Sequence, residues 1–481
     1  MPDSWGCRGN IVQTPELGSL VILPDALVVV EEGRIALIGA GQDEAQICAA
    51  HGLSADSVVK LEDGEFLCSG FVDLHVHAPQ YSYAGTATDR PLMSWLEAYA
   101  FPREKAHADT EAASREYRKL AARLAAHGTT TALVFGTMHR QACQQLALAL
   151  QSQGLRGFIG KVCMDRNSAE GYQESTEVAL AETEAFLDWI RGLGDERIQA
   201  AVTPRFVPTC TPQLLAGLAQ LAHKYDTAIQ SHISESFDEV EFSQALHPEA
   251  DGRDTRIFDA AGLLRHRAVM AHGTCLTSSE LRRMAQTGTA IAHCPLSNFF
   301  FGDRLLHVRH ARGLGVKVGL GTDVAGGYSP SMLNAMRSCV ITSRALRMQQ
   351  LAICGKQQSS AAARSRPMDL KGARSQEAAT QEEICVVPAA QRTKFDETLL
   401  DWKAAFWLAT QGGAEALGLG STCGSLEVGK AFDALRVDTR NSAAFDVFPA
   451  DSLMDAFQKF VNLGDDRNIR AAWVAGRLLR S

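Results

Sequence analysis

Residues 71–85 read FVDLHVHAPQYSYAG, an apolar run that ends in two histidines separated by one residue. Side chains of a β strand alternate between its two faces, so His75 and His77 project to the same face, about 6.6 Å apart along the strand. Two neutral imidazoles on one face can bind one metal ion. The same spacing also fits two unrelated histidines, so the rest of the chain has to decide between these readings.

Seven further short apolar runs follow this one, and most of the gaps between them hold an amphipathic helical stretch, such as EAASREYRKLAARLAAHG or SSELRRMAQTG. Eight strands that alternate with helices predict a parallel (β/α)8 TIM barrel. The two ends of the chain are different, because they read as short β strands rich in Val and Ile. The eight runs are FVDLHVH, TTTALVFG, RGFIGKVC, IQAAVTPR, AIQSHIS, AVMAHGT, AIAHCPLSN and KVGLGTDV.

Residues 356–394 break this alternation. The segment is rich in Ala, Gln, Ser and Arg and contains no aromatic residue. Such a composition cannot bury enough apolar area to order itself, so we interpret it as a disordered surface insertion. It is either a loop without function or a binding module.

The composition of the 481 residues excludes several classes of protein. The net charge is −8 and no long basic block is present, which argues against a nucleic-acid partner. No apolar stretch approaches the roughly 20 residues that cross a bilayer, and MPDSWGCRGN at the N-terminus does not resemble a signal peptide. We therefore expect a cytoplasmic protein without a membrane partner.

Polar groups that suit metal chemistry recur at the ends of later apolar runs. Near their carboxyl ends, the fifth run contains His232 and is followed by Glu235, the sixth contains His272, and the eighth contains Asp323. The carboxyl ends of the strands of such a barrel converge on one face, where the chemistry takes place. Two or three histidines with an aspartate and an open position make a catalytic site for zinc or a similar divalent ion. His293, at the end of the seventh run, is interpreted as a packing residue.

This order of residues resembles the amidohydrolase superfamily, and most closely the guanine deaminase family of ATZ/TRZ-like metal-dependent hydrolases. The resemblance runs from about residue 65 to the C-terminus, except for the insertion. Ser69 stands before Gly70 where the family usually has proline, but neither this change nor the insertion lies at a predicted ligand. The motifs that carry the resemblance are HVHAPQYSYAG, KVCMDRN, TPRF, QSHISE, MAHG, AHCPLSN, GLGTDVAGGYS, LGDDRNI and GSLEVGKAFDA.

The resemblance implies an architecture and an activity. The barrel would occupy residues 67–420, and residues 1–66 and 421–481 would form a small β-sandwich domain built from both chain ends. The expected reaction is hydrolytic deamination of guanine to xanthine and ammonia, in purine catabolism or salvage. The resemblance further implies a homodimer.

The resemblance also implies a role for each residue of the predicted site. Glu235 would shuttle protons to the ring nitrogen and the leaving amine, as the non-ligand Glu of other zinc nucleobase deaminases does. Asp323 would take the proton of the attacking water, and His272 would hydrogen-bond that water or the developing oxyanion. The implied cofactor is one Zn²⁺ per chain, with Fe²⁺ or Mn²⁺ as alternatives, because AVTPRF lacks the lysine that binuclear relatives carry on strand four. The implied metal ligands are His75, His77, His232 and Asp323.

Recognition of guanine is assigned to residues above strands one and four. Gln80 offers an amide donor and acceptor, Arg205 can donate to the 6-oxygen, and Phe206 can flank the flat ring. Without the resemblance, Arg205 would be read as a salt-bridge partner and Phe206 as part of the core. The remaining predicted substrate contacts are His232, Glu235, His272 and Asp323.

Other functions stay open at this point. A different mononuclear deaminase or hydrolase could act on cytosine, an adenosine-type base or a chlorinated triazine, although Gln80 and Arg205 argue against it. A catalytically inactive scaffold would have lost ligands, whereas this chain keeps them all.

Overall fold

The computed structural model describes residues 4–364, 399–440 and 444–479, without the side chains of 355–364. The helix Met332–Arg364 covers the start of the segment 356–394. The rest of that segment lies outside the described residues, so its interpretation as a disordered insertion stays a prediction.

The two chain ends build one mixed sheet of eight strands in the order β17-β16-β15-β5-β1-β2-β3, with β4 paired to β1. The ends meet where β5 and β15 pair antiparallel, with Ser69 opposite Ala434. The aromatic rings of Trp5, Phe432 and Trp473 pack together at its centre, with centroids 5.2–6.0 Å apart. The strands are β1 (Ser4–Gln13), β2 (Val21–Glu31), β3 (Arg34–Ala40), β4 (Val58–Lys60), β5 (Glu65–Ser69), β15 (Ala434–Asp438), β16 (Ile469–Val474) and β17 (Arg477–Leu478).

The strands between these ends form a parallel sheet in the order β14-β13-β12-β11-β10-β8-β7-β6. β6 and β7 are buried along their whole length, as expected for barrel strands covered by helices. The third apolar run is interrupted, because it supplies both β8 and the short β9, and each of these pairs with β10. The strands are β6 (Phe71–His77), β7 (Thr129–Phe135), β8 (Arg156–Gly160), β9 (Val162–Cys163), β10 (Ile198–Pro204), β11 (Ala228–Ile233), β12 (Ala268–His272), β13 (Ala290–His293) and β14 (Lys317–Leu320).

The segment that follows β14 closes the barrel against β6. The backbone N–H of Asp323 donates to the carbonyl of His75 at 2.8 Å, and the N–H of His77 donates to the carbonyl of Val324 at 2.9 Å. These two bonds place the end of strand eight beside the two histidines of strand one. The predicted fold class, a barrel with a β domain from both chain ends, is confirmed, while the exact domain limits stay a prediction.

Helices fill the connections and cover the outside of the barrel. The helix Ser278–Thr287 shows how local sequence sets their limits, because Thr277 and Glu280 form a capping box and Gly288 ends the helix at φ +75°. Within the described residues, none of the helices is long and apolar enough to cross a membrane. The α helices are Glu44–Ala50, Leu92–Trp95, Phe101–Ala106, Thr110–Ala126, Arg140–Gln153, Thr176–Gly192, Pro212–Tyr225, Phe237–Leu246, Asp254–Ala261, Ser278–Thr287, Pro295–Phe301, Val308–Gly313, Met332–Arg364, Trp402–Leu408, Gln411–Ala416 and Leu453–Leu463.

Candidate metal and substrate site

Three histidines from strands one and five converge at the carboxyl end of the barrel. The Nε2 atoms of His77 and His232 are 3.0 Å apart, and the ring of His75 lies 4.8 Å from each of the other two rings. One ring nitrogen from each residue can be chosen so that all three lie within 4.8 Å of one another. All three side chains are buried, so their nitrogens face one another rather than solvent.

Asp323 joins this cluster from strand eight. Its Oδ1 atom lies 3.2 Å from Nε2 of His75 and 3.5 Å from Nε2 of His77. The residue adopts φ +50°, in the left-handed region that costs energy for a residue with a side chain. Asp73 holds the preceding residue in place, since its carboxylate accepts the backbone N–H of Thr322 at 2.9 Å and the Thr322 hydroxyl at 2.6 Å.

The chemistry of these donors fits a divalent ion such as zinc. Burial, helped by neighbouring positive groups, lowers the pKa of His75, His77 and His232 well below the usual histidine value, so the rings are neutral. His232 Nδ1 donates to the carbonyl of Arg205 at 2.7 Å, so the lone pair of this ring is on Nε2, the nitrogen that faces His77. Nε2 of His75 makes no hydrogen bond of normal geometry within the described residues. A buried, unpartnered ring nitrogen of this kind is what a metal ligand requires.

His272 and Glu235 lie beside this cluster, and the ring of His272 is 5.4 Å from that of His75 and 5.6 Å from that of His232. His272 Nε2 is 3.9 Å from Asp323 Oδ2, while its Nδ1 lies 3.0 Å from the side-chain oxygen of Asn298 and 3.4 Å from Glu235 Oε1. Burial, with Asp323 as the next cause, raises the pKa of Glu235 well above the usual carboxyl value. Glu235 can therefore hold a proton at neutral pH, as a general acid must.

These groups line one cavity at the carboxyl end of the barrel. Its walls beyond the cluster are largely apolar, with the rings of Trp95 and Phe301 at 4.9 Å from each other. Neither ring was predicted, although the apolar density of PLMSWLEAYAF between strands one and two was a usable signal. The lining residues are His77, Gln80, Leu92, Trp95, Leu96, Arg205, Phe206, His232, Glu235, His272, Ser297, Phe301, Asp323 and Gly326.

Gln80 and Arg205 both line the cavity, and both are bonded to Glu104, which the sequence analysis did not identify. Arg205 donates from Nη1 and Nη2 to the two carboxylate oxygens of Glu104, at 2.5 and 3.0 Å. Gln80 Nε2 donates to the same carboxylate at 2.8 Å, while its Oε1 accepts the N–H of Ala325 at 3.3 Å. Arg205 is thus a salt-bridge partner and a cavity residue at once.

His293, the histidine set aside for packing, is fully buried and does not line the cavity. Burial lowers the pKa of this side chain to about 3, so it carries no charge. Its packing role stays a prediction.

A model of the amidohydrolase family matches residues 66–356 and 383–479. The chain belongs to the amidohydrolase family. Curated relatives of this amidohydrolase include the guanine deaminase of Dictyostelium discoideum, 35% identical over 484 residues that cover 98% of this chain and 97% of the relative. The guanine deaminase of Mus musculus is 36% identical over 98% of this chain and 95% of its own length.

Solved structures agree with this grouping. A guanine deaminase from C. acetobutylicum, with guanine bound in its active site, superposes with a TM-score of 0.83 at 26% identity, over 99% of this chain and all of that one. The resemblance to guanine deaminases therefore extends over the described barrel and the β domain. The chain is a metal-dependent hydrolase that acts on a C–N bond.

Proposed function

We propose that this amidohydrolase deaminates guanine, with water, to xanthine and ammonia. The observation that carries the proposal is that one cavity is lined both by the histidine–aspartate cluster and by Arg205 and Phe206. The similarity to curated guanine deaminases over 98% of the chain supports the same substrate.

The proposed cofactor is one Zn²⁺ per chain, held by His75, His77, His232 and Asp323. Neutral imidazoles and a carboxylate are the ligands that catalytic zinc sites use, and Fe²⁺ or Mn²⁺ are the alternatives for such a set. When bound, the ion would supply a hydroxide nucleophile at neutral pH. The end of strand four, AVTPRF, has no lysine of the kind that binuclear relatives carry there, which supports a single metal.

Two carboxyl groups handle the protons in the proposed mechanism. Asp323 accepts the proton of the water whose oxygen attacks C2 of guanine. Glu235, whose pKa burial raises, donates its proton to the ring nitrogen beside C2 and then takes up the proton of the new C2 hydroxyl. It passes this second proton to the exocyclic amine, which leaves as ammonia with the electron pair of the C–N bond, and the proton held by Asp323 restores Glu235 after turnover. His272, whose Nδ1 is engaged by Asn298, turns Nε2 toward the reacting water.

The rest of the cavity would hold the base. Arg205 keeps N–H groups that Glu104 does not use, and these can donate to the 6-oxygen of guanine. Gln80 Nε2 has two N–H groups and donates one of them to Glu104, so the other can donate to a ring acceptor. Phe206, 4% exposed, lies at the wall and would cover one face of the purine.

We further propose that the enzyme is a homodimer, as the family resemblance implies, and that it works in the cytoplasm, as the composition of the chain led us to expect. Sedimentation of the purified protein and imaging of the tagged protein in cells test them separately. A monomer at micromolar concentration would remove the first proposal and leave the chemistry untouched.

The activity itself is tested by incubating the purified protein with guanine, adenine, cytosine and dihydrouracil. Ammonia release, loss of purine ultraviolet absorbance and the mass of the product are followed in each case. Conversion of guanine alone, to xanthine, is expected. Turnover of another base without guanine would discard the roles given to Gln80 and Arg205, and no turnover with any of them would contradict the proposal.

A further inference from the structure

Glu104 is a fully buried carboxylate at the edge of the substrate cavity. It lies on the helix Phe101–Ala106, between the first two barrel strands, and has no exposed surface. A charge in such a place is stable only when charged and polar partners surround it. Glu104 has these partners, because it accepts hydrogen bonds from Arg205, Gln80 and the hydroxyl of Tyr172, the last at 2.8 Å.

The contacts fix the orientation of both cavity residues. Two parallel N–H···O bonds set the plane of the Arg205 guanidinium, which also lies 4.9 Å over the ring of Phe101. The side-chain amide of Gln80 is held at both ends, because its Nε2 donates to Glu104 and its Oε1 accepts from Ala325. Neither group has to be ordered when a ligand enters, so binding costs less conformational entropy.

Glu104 also compensates a charge next to the metal site. Arg205 lies close enough to His75, His77 and His232 to contribute to lowering the pKa of each. A guanidinium without Glu104 would repel a bound cation and would be drawn toward the other cavity carboxylates, Glu235 and Asp323.

We propose that Glu104 is a positioning residue, which holds Arg205 and Gln80 as one unit that recognises the oxygen-bearing edge of the purine. The inference rests on guanine being the substrate. It makes a specific claim, because only ligands with a 6-oxygen use the unit through Arg205. Loss of Glu104 should therefore weaken the binding of guanine more than the binding of 2-aminopurine. The latter carries the same amine on C2 but has no 6-oxygen.

The test measures kcat and KM for guanine, the inhibition constant of 2-aminopurine and the bound metal in the full-length enzyme. The variants are Glu104→Gln, Arg205→Gln and the double variant. Glu174→Gln is the control, because Glu174, half-buried, forms an ion pair with the buried Lys161 at 2.5 Å and does not line the cavity.

Glu104→Gln is expected to lower kcat/KM for guanine about 100-fold, mostly through KM, as for loss of one partner of a buried charge pair. The inhibition constant of 2-aminopurine should change less than threefold, the metal should stay bound, and Glu174→Gln should keep guanine kinetics. Adding Glu104→Gln to Arg205→Gln should cause little further loss, since both act through one contact.

Equal losses for guanine and 2-aminopurine, additive effects in the double variant, or unchanged guanine kinetics would each overturn the inference. If Glu104→Gln does not fold, Glu104→Asp tests the inference instead. The aspartate side chain is too short for its carboxylate to keep the contacts with both Arg205 and Gln80. It must raise the KM for guanine at least tenfold while kcat stays within threefold. A wild-type enzyme that does not turn over guanine at all would instead be a failure of the proposed function.

Discussion

Replacing Glu235 by glutamine removes the proton shuttle and keeps its shape. The carboxyl is 4% exposed and its pKa is raised by burial, so the wild-type group can carry a proton into the reaction at neutral pH. A glutamine amide cannot exchange that proton. We expect kcat for guanine to fall while the metal content stays the same, because Glu235 is not a proposed ligand.

The size of the effect follows from what else the cavity offers. General acid–base catalysis by one side chain contributes about 10²–10⁴ in rate. Among the described residues the other carboxylate lining the cavity is Asp323, which is assigned to the metal, and Nδ1 of His272 is engaged by Asn298. No ready substitute carries the proton, so the loss should reach the upper half of the range, about 10³–10⁴, or about 4–5.5 kcal/mol of barrier.

The assay follows guanine absorbance and ammonia release at pH 7 for wild type, Glu235→Gln and Glu239→Gln. Glu239 is the matched control, because it is a buried glutamate that accepts the backbone N–H of Glu235 at 2.7 Å but does not line the cavity. Glu239→Gln should lose less than tenfold. If Glu235→Gln keeps a tenth of the wild-type rate with normal metal content, Glu235 is not the shuttle.

Three further changes test other parts of the account. His232→Ala should lose both the metal and the turnover, measured by elemental analysis and guanine decay, whereas His293→Gln on the neighbouring wall of the barrel should keep the metal. Gly321→Ala would bring its new Cβ to 2.7 Å from the Cβ of His75, and the displaced ring should weaken metal affinity about 10- to 100-fold in a chelator competition. Burial raises the pKa of Asp254 to about 6 from an unfolded value of about 3.9, so the wild-type chain loses up to about 3 kcal/mol of stability as pH rises from 4 to 7. Unfolding curves between pH 4 and 7 should show a smaller loss of stability in Asp254→Asn than in the wild type. An identical pH dependence in both proteins would contradict this prediction.

The barrel was predictable because its strands are buried on both faces. Such strands appear in the sequence as short, nearly continuous apolar runs. The interruption of the third run was not predictable. There the side chain of Lys161 leaves the strand to pair with Glu174, thirteen residues further on, and the ladder restarts as β9. A partner that far along the chain leaves no periodic signal.

The histidines and Asp323 could be found from the sequence, because the carboxyl ends of parallel strands must meet on one face. Glu104 could not. Its helix reads FPREKA, and the neighbouring Arg103 and Lys105 are exposed, so the segment looks like a surface helix. Only the packing of that helix over the barrel mouth buries one of its charges against Arg205.

The most direct test of the central claim is a metal titration of the enzyme. Chelator-stripped protein is loaded with increasing zinc, and guanine turnover is measured against zinc bound per chain. The account predicts that activity is absent without metal, rises in proportion to zinc and reaches its plateau at about one ion per chain. Turnover in the stripped protein, or a plateau that requires a second ion, would contradict a single-metal site formed by His75, His77, His232 and Asp323.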